Sequence, residues 1–199
     1  MPLYLVTGPS AVPVSLDEVK TTMRVDFADD DADISGMIDA AVQNLDGRDG
    51  WLGRALISQV WDYKLPCFDG CEIPIPLPPL IEVQSVTYYD GNNALQTLSA
   101  SIYEVVGLGG FGKARIALAY GQRWPVTYPR PEAVTIRFRA GYVDTEADPA
   151  AGTVPAPILT AIKRQVATMY DNRESVVVGA TVSKIPGSVE TMLAPYRVW

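Results

Sequence analysis

Four carboxylates, Asp62, Asp69, Glu72 and Glu82, are the first residues whose type and spacing could carry chemistry. Two of them held about 5–10 Å apart in a cleft would make a hydrolytic acid and base, or acid and nucleophile. Nothing in their spacing enforces such a pair. Histidine is absent from the chain, which removes Ser-His-Asp and Cys-His activation, the usual general base near neutral pH and nearly all zinc catalysis. Gly107-Leu108-Gly109-Gly110-Phe111-Gly112 has G-x-G-x-x-G spacing, with Glu132 further along as the acidic partner. That fingerprint needs a helix after the glycines, so that a pyrophosphate can sit on its N-terminus. Lys113 to Tyr120 alternates like a strand instead, so the glycines read as a hairpin turn. Asp31-x-Asp33-x-Ser35-Gly36 matches the first half of a calcium-binding loop, but the position of the bidentate glutamate is Val42. No metal and no cofactor are expected, and no enzymatic activity. Cys67 and Cys71 flank a tight loop and read as free thiols of a reducing compartment.

The charge is unevenly spread. Residues 1–50 hold ten carboxylates against three basic residues, which accounts for the whole formal net charge of −7; the remainder is neutral. A protein that grips phosphates needs a clustered basic face. Arg115, Arg123, Arg130, Arg137 and Arg139, interleaved with Trp124, Tyr128 and Phe138, are the one such candidate, and ordinary exposed strand positions explain them better. Hydrophobic content of 48% fits a globular chain with one good core and a small inserted subdomain. No apolar run reaches the roughly 18 residues of a bilayer span, and no signal peptide opens the sequence. The expected compartment is the cytoplasm.

The elements that must position these residues follow from periodicity. Ser15-Leu16-Asp17-Glu18 is a capping box opening a short helix to about Arg24. The acidic run Asp29-Asp30-Asp31-Ala32-Asp33 opens a second helix, where its carboxylates suit the positive end of the dipole. Ile34, Met37, Ile38, Ala41, Val42 and Leu45 then form one apolar stripe. From Ile57 to Val143 the period changes to two. Pro74, Pro76 and Pro78 alternate with Ile73, Ile75 and Leu77, which confines that strand to an edge. Ile102–Val106 pairs with Ala114–Tyr120 across the glycines, and Val134, Ile136, Phe138 and Ala140 face one side of a half-buried strand. Helical spacing returns at Ile158, Leu159, Ile162, Val166, Met169 and Tyr170. Residues 175–186 are β-prone and carry little charge. Val189, Met192, Leu193, Tyr196 and Trp199 then form a terminal apolar set, too short to build a core of its own, that must dock on its own domain or on a partner.

The predicted fold class is α+β: a small helical bundle with an inserted antiparallel β subdomain and a C-terminal docking arm. Residues 1–56 supply the first bundle helices, 57–143 the β subdomain, 154–174 the third bundle helix, and 175–199 the extended segment and arm.

This order of parts resembles the head–tail connector (adaptor) family of long-tailed phages, prophages and gene transfer agents. The residues that carry the resemblance are Pro78-Pro79-Leu80 with Val83, Val86-Thr87-Tyr88-Tyr89-Asp90-Gly91, and Ala140-Gly141-Tyr142. Val154-Pro155, Ile158, Ala161-Ile162, Tyr170, Arg173-Glu174 and Ser188 to Arg197 complete the set. It covers nearly the whole chain, although the β block is larger than in the shortest family members. The resemblance implies a non-enzymatic, homo-oligomeric ring of twelve copies in the neck of a phage-like particle, assembled in the bacterial cytoplasm. Such a ring binds below the portal protein, extends the channel through which double-stranded DNA passes without sequence-specific binding, and seats a neck stopper or tail component. It further implies that Val189, Met192, Leu193, Tyr196 and Trp199 dock on the portal. Asp29, Asp30, Asp31 and Asp33 would present an acidic face to the channel, repelling DNA so that it slides. Two alternatives stay open: a tail terminator or tail-completion protein, and a small carboxylate hydrolase using two of Asp62, Asp69, Glu72 and Glu82.

Overall fold

Ser15 caps the first helix as its sequence requires: its Oγ accepts from the Glu18 amide at 3.3 Å while its own amide donates to Glu18 Oε2 at 3.0 Å. That helix is α1, Leu16–Met23, closed by Arg24 in the left-handed region at φ 59. The structure is a computed structural model that describes residues 2–142, 153–172 and 189–198. The acidic run begins α2, Asp31–Gln43, and the Pro-opened stretch begins α3, Ala156–Asp171. A short α4, Val189–Leu193, continues into a 3₁₀ turn over Ala194–Tyr196. The apolar stripes of α1, α2 and α3 converge as the periodicity predicts. Val19, Ile34, Ile38, Ala41, Ile158, Ile162 and Val166 are buried together, and Leu193 of α4 closes the same core.

The middle of the chain carries two antiparallel sheets where the sequence suggested one. The larger takes the order β1-β2-β8-β4-β5, with β1 Leu3–Thr7, β2 Gln59–Leu65, β4 Leu80–Tyr89, β5 Leu95–Thr97 and β8 Val134–Ala140. The smaller is β3-β7-β6, with β3 Glu72–Pro74, β6 Tyr103–Val106 and β7 Arg115–Leu118. The proline-punctuated strand β3 lies at an edge, where its missing amide donors cost no ladder bonds. Strand β8 sits centrally and buries Val134, Ile136, Phe138 and Ala140 on one face. The two sheets share a core in which Trp61, Tyr63, Leu65, Ile73, Ile75, Leu80, Ile116 and Phe138 meet.

Strand β1 has no counterpart in the sequence reading. Only Leu3 of its residues is buried, so it carries no periodic apolar signal. It is held by antiparallel pairing with β2, Leu3 opposite Tyr63 and Leu5 opposite Trp61.

The helical and β units meet at residues 45–57. Asp46 Oδ1 accepts from the Leu56 amide at 2.6 Å, and the side-chain amide of Gln59 reaches both carboxylate oxygens at 3.1 and 2.9 Å. One half-buried carboxylate thereby fixes the end of α2 against the start of β2.

Candidate assembly site

Residues 51–54 form a seat for the C-terminal turn. The Val198 amide donates to the Leu52 carbonyl at 2.9 Å, and the Arg197 guanidinium lies 4.6 Å from the centre of the Trp51 ring. Gly53 has φ +64, and a Cβ there would come within 2.9 Å of the Val198 carbonyl oxygen. Only glycine lets the turn approach so closely.

At the centre lies Arg54, 2% exposed. Its Nε donates to the Tyr196 carbonyl at 2.7 Å, Nη1 to the Tyr142 hydroxyl at 2.8 Å and Nη2 to the Phe111 carbonyl at 3.2 Å. The guanidinium also lies 5.4 Å from the centre of the Phe111 ring, which meets the Tyr196 ring at 5.8 Å. One cation thus joins the C-terminal turn, the end of the β unit and the glycine-rich hairpin. Burial pushes the Tyr142 hydroxyl above its ordinary pKa, partly offset by Arg54. The sequence reading did not single out Arg54. Its signal was a lone charge inside the apolar run Trp51 to Ile57, a placement that demands partners.

The terminal apolar set divides by burial. Leu193 is 1% exposed in the helical core, whereas Val189, Met192 and Tyr196 are half-buried against its rim. Trp199 lies outside the described residues, as do residues 175–186. A cleft of about 560 Å³ beside α4 is lined by Leu45, Trp51, Met169, Val189 and Leu193.

The acidic run is not a uniform face. Asp29 and Asp33 are exposed, but Asp30 accepts from the Tyr170 hydroxyl at 2.6 Å and Asp31 pairs with Lys20. Half the run therefore ties α2 to α3 and α1. Asp31, Asp33 and Ser35 all lie within α2, so the calcium-loop pattern is helix. Among the described residues no group of three or more carboxylates and thiols could hold a metal.

Other sequence candidates are taken up internally. Arg137 pairs with Asp62 in a two-bond fork at 2.7 and 2.8 Å, and Arg115 with Glu72 at 3.2 Å. Arg139 sits 3.1 Å from Glu82 as an ion pair, its Nε not aligned for a hydrogen bond. These contacts cancel most of the basic-aromatic face. They also occupy three of the four carboxylates weighed as a catalytic pair. None of the four lines the cleft beside α4, nor a second cleft of about 650 Å³ between β1, α2 and β2. Cys67 and Cys71 are exposed free thiols. The glycine motif forms the β6–β7 hairpin, with Gly107 at φ +87 and Gly109 at φ +66. No helix follows it to receive a pyrophosphate.

No protein-family model matches the chain, and no curated protein matches it. Solved structures do. A chain from the neck of an empty gene transfer agent (GTA) particle, computed with C6 symmetry, matches at TM-score 0.76 and 23% identity. The match covers 100% of this chain and 96% of that one. A chain of the native GTA virion matches at TM-score 0.76 and 20% identity with the same coverage. A chain from the native GTA neck, computed with C12 symmetry, matches at TM-score 0.73 and 20% identity, again with the same coverage. The α+β fold of this chain is the fold of those chains from end to end.

Proposed function

We propose that this chain is a structural, non-enzymatic head–tail connector (adaptor) of a phage-like particle. In this reading it forms a ring in the particle neck, beneath the portal protein. The observation that carries the proposal is the end-to-end correspondence with chains of the GTA neck, two of which were computed with C6 or C12 symmetry. Twelve copies are proposed, each using one face to meet a different face of the next, the contact type that closes a ring. The ring extends the DNA channel, passes double-stranded DNA without reading its sequence, and seats a neck stopper or tail component. Assembly takes place in the bacterial cytoplasm.

The C-terminal segment is the proposed portal anchor. Leu193 holds it to the helical core, and Val189, Met192, Tyr196 and Trp199 supply the contact surface. Val189, Met192 and Tyr196 are already half-buried, so completing the burial of each against a partner would contribute about half of the roughly 1.5–3 kcal/mol of a fully exposed side chain. The acidic face remains with the same residues: Asp29 and Asp33 as the exposed carboxylates, Asp30 and Asp31 as neighbours that also brace the helices. A ring multiplies the −7 of each copy, and such a field facing the channel would keep DNA from adhering.

The decisive experiment is the light-scattering mass of the purified chain, alone and mixed with the portal protein of the same particle. A portal complex carrying about twelve added copies, lost on deletion of residues 187–199, is the expected result. A chain that ignores the portal and binds tail tube would overturn the adaptor assignment in favour of a tail-side component.

A further inference from the structure

Neither the portal anchor nor the channel face accounts for the outer edge of β1 or for the β-prone residues 175–186. β1 is an edge strand of the five-stranded sheet, and such an edge is a template for one more strand. Arg48 Nη1 donates to its Leu3 carbonyl at 3.1 Å, and the edge beyond is apolar. Leu5 is 51% exposed and Val6 44%. Leu5 shares the wall of the 650 Å³ cleft between β1, α2 and β2 with Val12, itself 45% exposed. One exposed apolar residue needs no explanation, but a contiguous row does. The cleft is also acidic. Among the described residues that line it, Asp39, Asp46 and Asp49 stand against one cation, Arg48. Arg48 is taken by Asp49 at 3.0 Å, and Asp46 is bonded to amides rather than to a cation. Asp39 is exposed and joins no ion pair among the described residues.

Residues 175–188 match that edge in composition. They read Ser-Val-Val-Val-Gly-Ala-Thr-Val-Ser-Lys-Ile-Pro-Gly-Ser, with Lys184 as their only charged residue. Arg173 and Glu174 before them cancel, and the next carboxylate is Glu190 in α4. Their β-branched side chains suit a strand. We infer that this segment of one copy adds as a strand to the β1 edge of the next copy, with Lys184 placed against Asp39. Leu5 and Asp39 line the same cleft, so a strand paired with β1 can carry its lysine to Asp39. Residues 172–188 connect α3 to α4 and, at about 3.3 Å per residue, reach roughly 28 Å out and back, enough to cross into a neighbouring copy. The inference rests on the ring reading and supplies the contact that closes it. Segment and edge are two different surfaces, as a head-to-tail ring requires. Main-chain pairing gives the affinity, while the apolar row and the charge pair set the register.

A charge swap tests the contact, read as ring mass by light scattering of the full chain, alone and on the portal protein of the same particle. Asp39→Lys and Lys184→Glu should each raise the concentration at which the ring forms tenfold or more. Unchanged melting temperatures confirm that each variant folds. Mixing the two variants in equal amounts should restore assembly, since each altered cleft then receives the altered segment and each native cleft the native one. Val177→Pro with Val178→Pro should weaken the ring as strongly, because one of these two neighbouring amides must face β1. An unaffected ring in that proline variant overturns the strand pairing. Rescue by both charge changes in one chain, without rescue on mixing, places the segment in the cleft of its own chain and overturns the contact between copies. Loss in the single variants with rescue in neither arrangement overturns the pairing of Lys184 with Asp39. Full assembly of both single variants overturns the site and leaves the ring reading standing. A wild-type chain that stays monomeric in both settings overturns the ring, and this contact with it.

Discussion

The helical unit and the β unit handle charge in opposite ways. In the β unit Arg137, Arg139, Arg115 and Lys64 each meet a carboxylate, Asp62, Glu82, Glu72 and Glu132 respectively. Most of these pairs sit across adjacent strands, so the sheet surface is close to neutral and asks little of a partner. The helical unit takes α1 and α2 from residues 1–50, a segment of net charge −7, and leaves Asp29 and Asp33 exposed. Its charge is therefore available to act at a distance, which is what a channel lining requires and a packing surface does not. The two units are joined through residues 45–57 and, above all, through Arg54.

Breaking that joint should have the largest effect. Arg54→Leu leaves the carbonyls of Tyr196 and Phe111 and the Tyr142 hydroxyl without their donor, at a cost of about 1–3 kcal/mol for each acceptor that stays buried and unpaired. Calorimetry should then resolve two transitions, one per unit. A single transition at the wild-type temperature would mean that the joint is elsewhere. Leu193→Ala comes next. It empties a site in the helical core alone and should cost about 2–3 kcal/mol by denaturant titration. A negligible cost would mean that the C-terminal segment is only loosely seated on the helices.

Neutralising charge should separate the units further. Arg137→Ala and Asp62→Ala, combined in a double-mutant cycle, should show a coupling of only about 0.5–1 kcal/mol, because the pair is partly exposed. Asp29→Asn with Asp33→Asn should lower the melting temperature only slightly, through the first-turn carboxylate of α2 that Asp33 supplies, and alter DNA release from assembled particles. Unchanged DNA transfer would remove the acidic channel face from the proposal. Asp30→Asn with Asp31→Asn should lower the melting temperature more, because the neutral amides weaken the charge-assisted contacts to Tyr170 and Lys20.

Local patterns made much of this molecule legible. The capping box at Ser15, the stripe from Ile34 to Val42 and the alternation from Val134 to Ala140 each lie within one element, and each formed as read. The glycine hairpin was legible because Lys113 to Tyr120 carries strand spacing. What stayed hidden depends on register between distant segments. β1 contributes backbone pairing with one buried side chain, Leu3, and backbone pairing leaves no compositional trace. The division into two sheets, and the pairing of Arg137 with Asp62, are set by which strands become neighbours. Arg54 was visible as a charge in an apolar run, but its acceptors come from residues 111, 142 and 196, which no sequence spacing brings together.

The smallest effect is a difference in sign between the joint and the sheet. Burial pushes the Asp46 carboxyl above its ordinary pKa, outweighing the amide of Leu56 and the side chain of Gln59, which favour the charged form. The folded chain therefore holds this proton more tightly than the unfolded chain. The resulting stability is full below the ordinary carboxylate pKa and lost as pH rises through the raised value. Glu132 of the β unit behaves oppositely, its pKa lowered first by the hydrogen bond from Lys64 and then by the one from Tyr4. Its stability is present above the ordinary value and lost as pH falls through the lowered one. The stability deficit of Asp46→Asn should thus be greatest in acid and shrink toward neutrality, while that of Glu132→Gln should be greatest at neutrality and vanish in acid. Denaturant titrations of both variants from about pH 3 to pH 7 would check this, spanning the ordinary carboxylate range. Parallel pH profiles would mean that Asp46 is solvated like a surface carboxylate and does not anchor the two units through its burial.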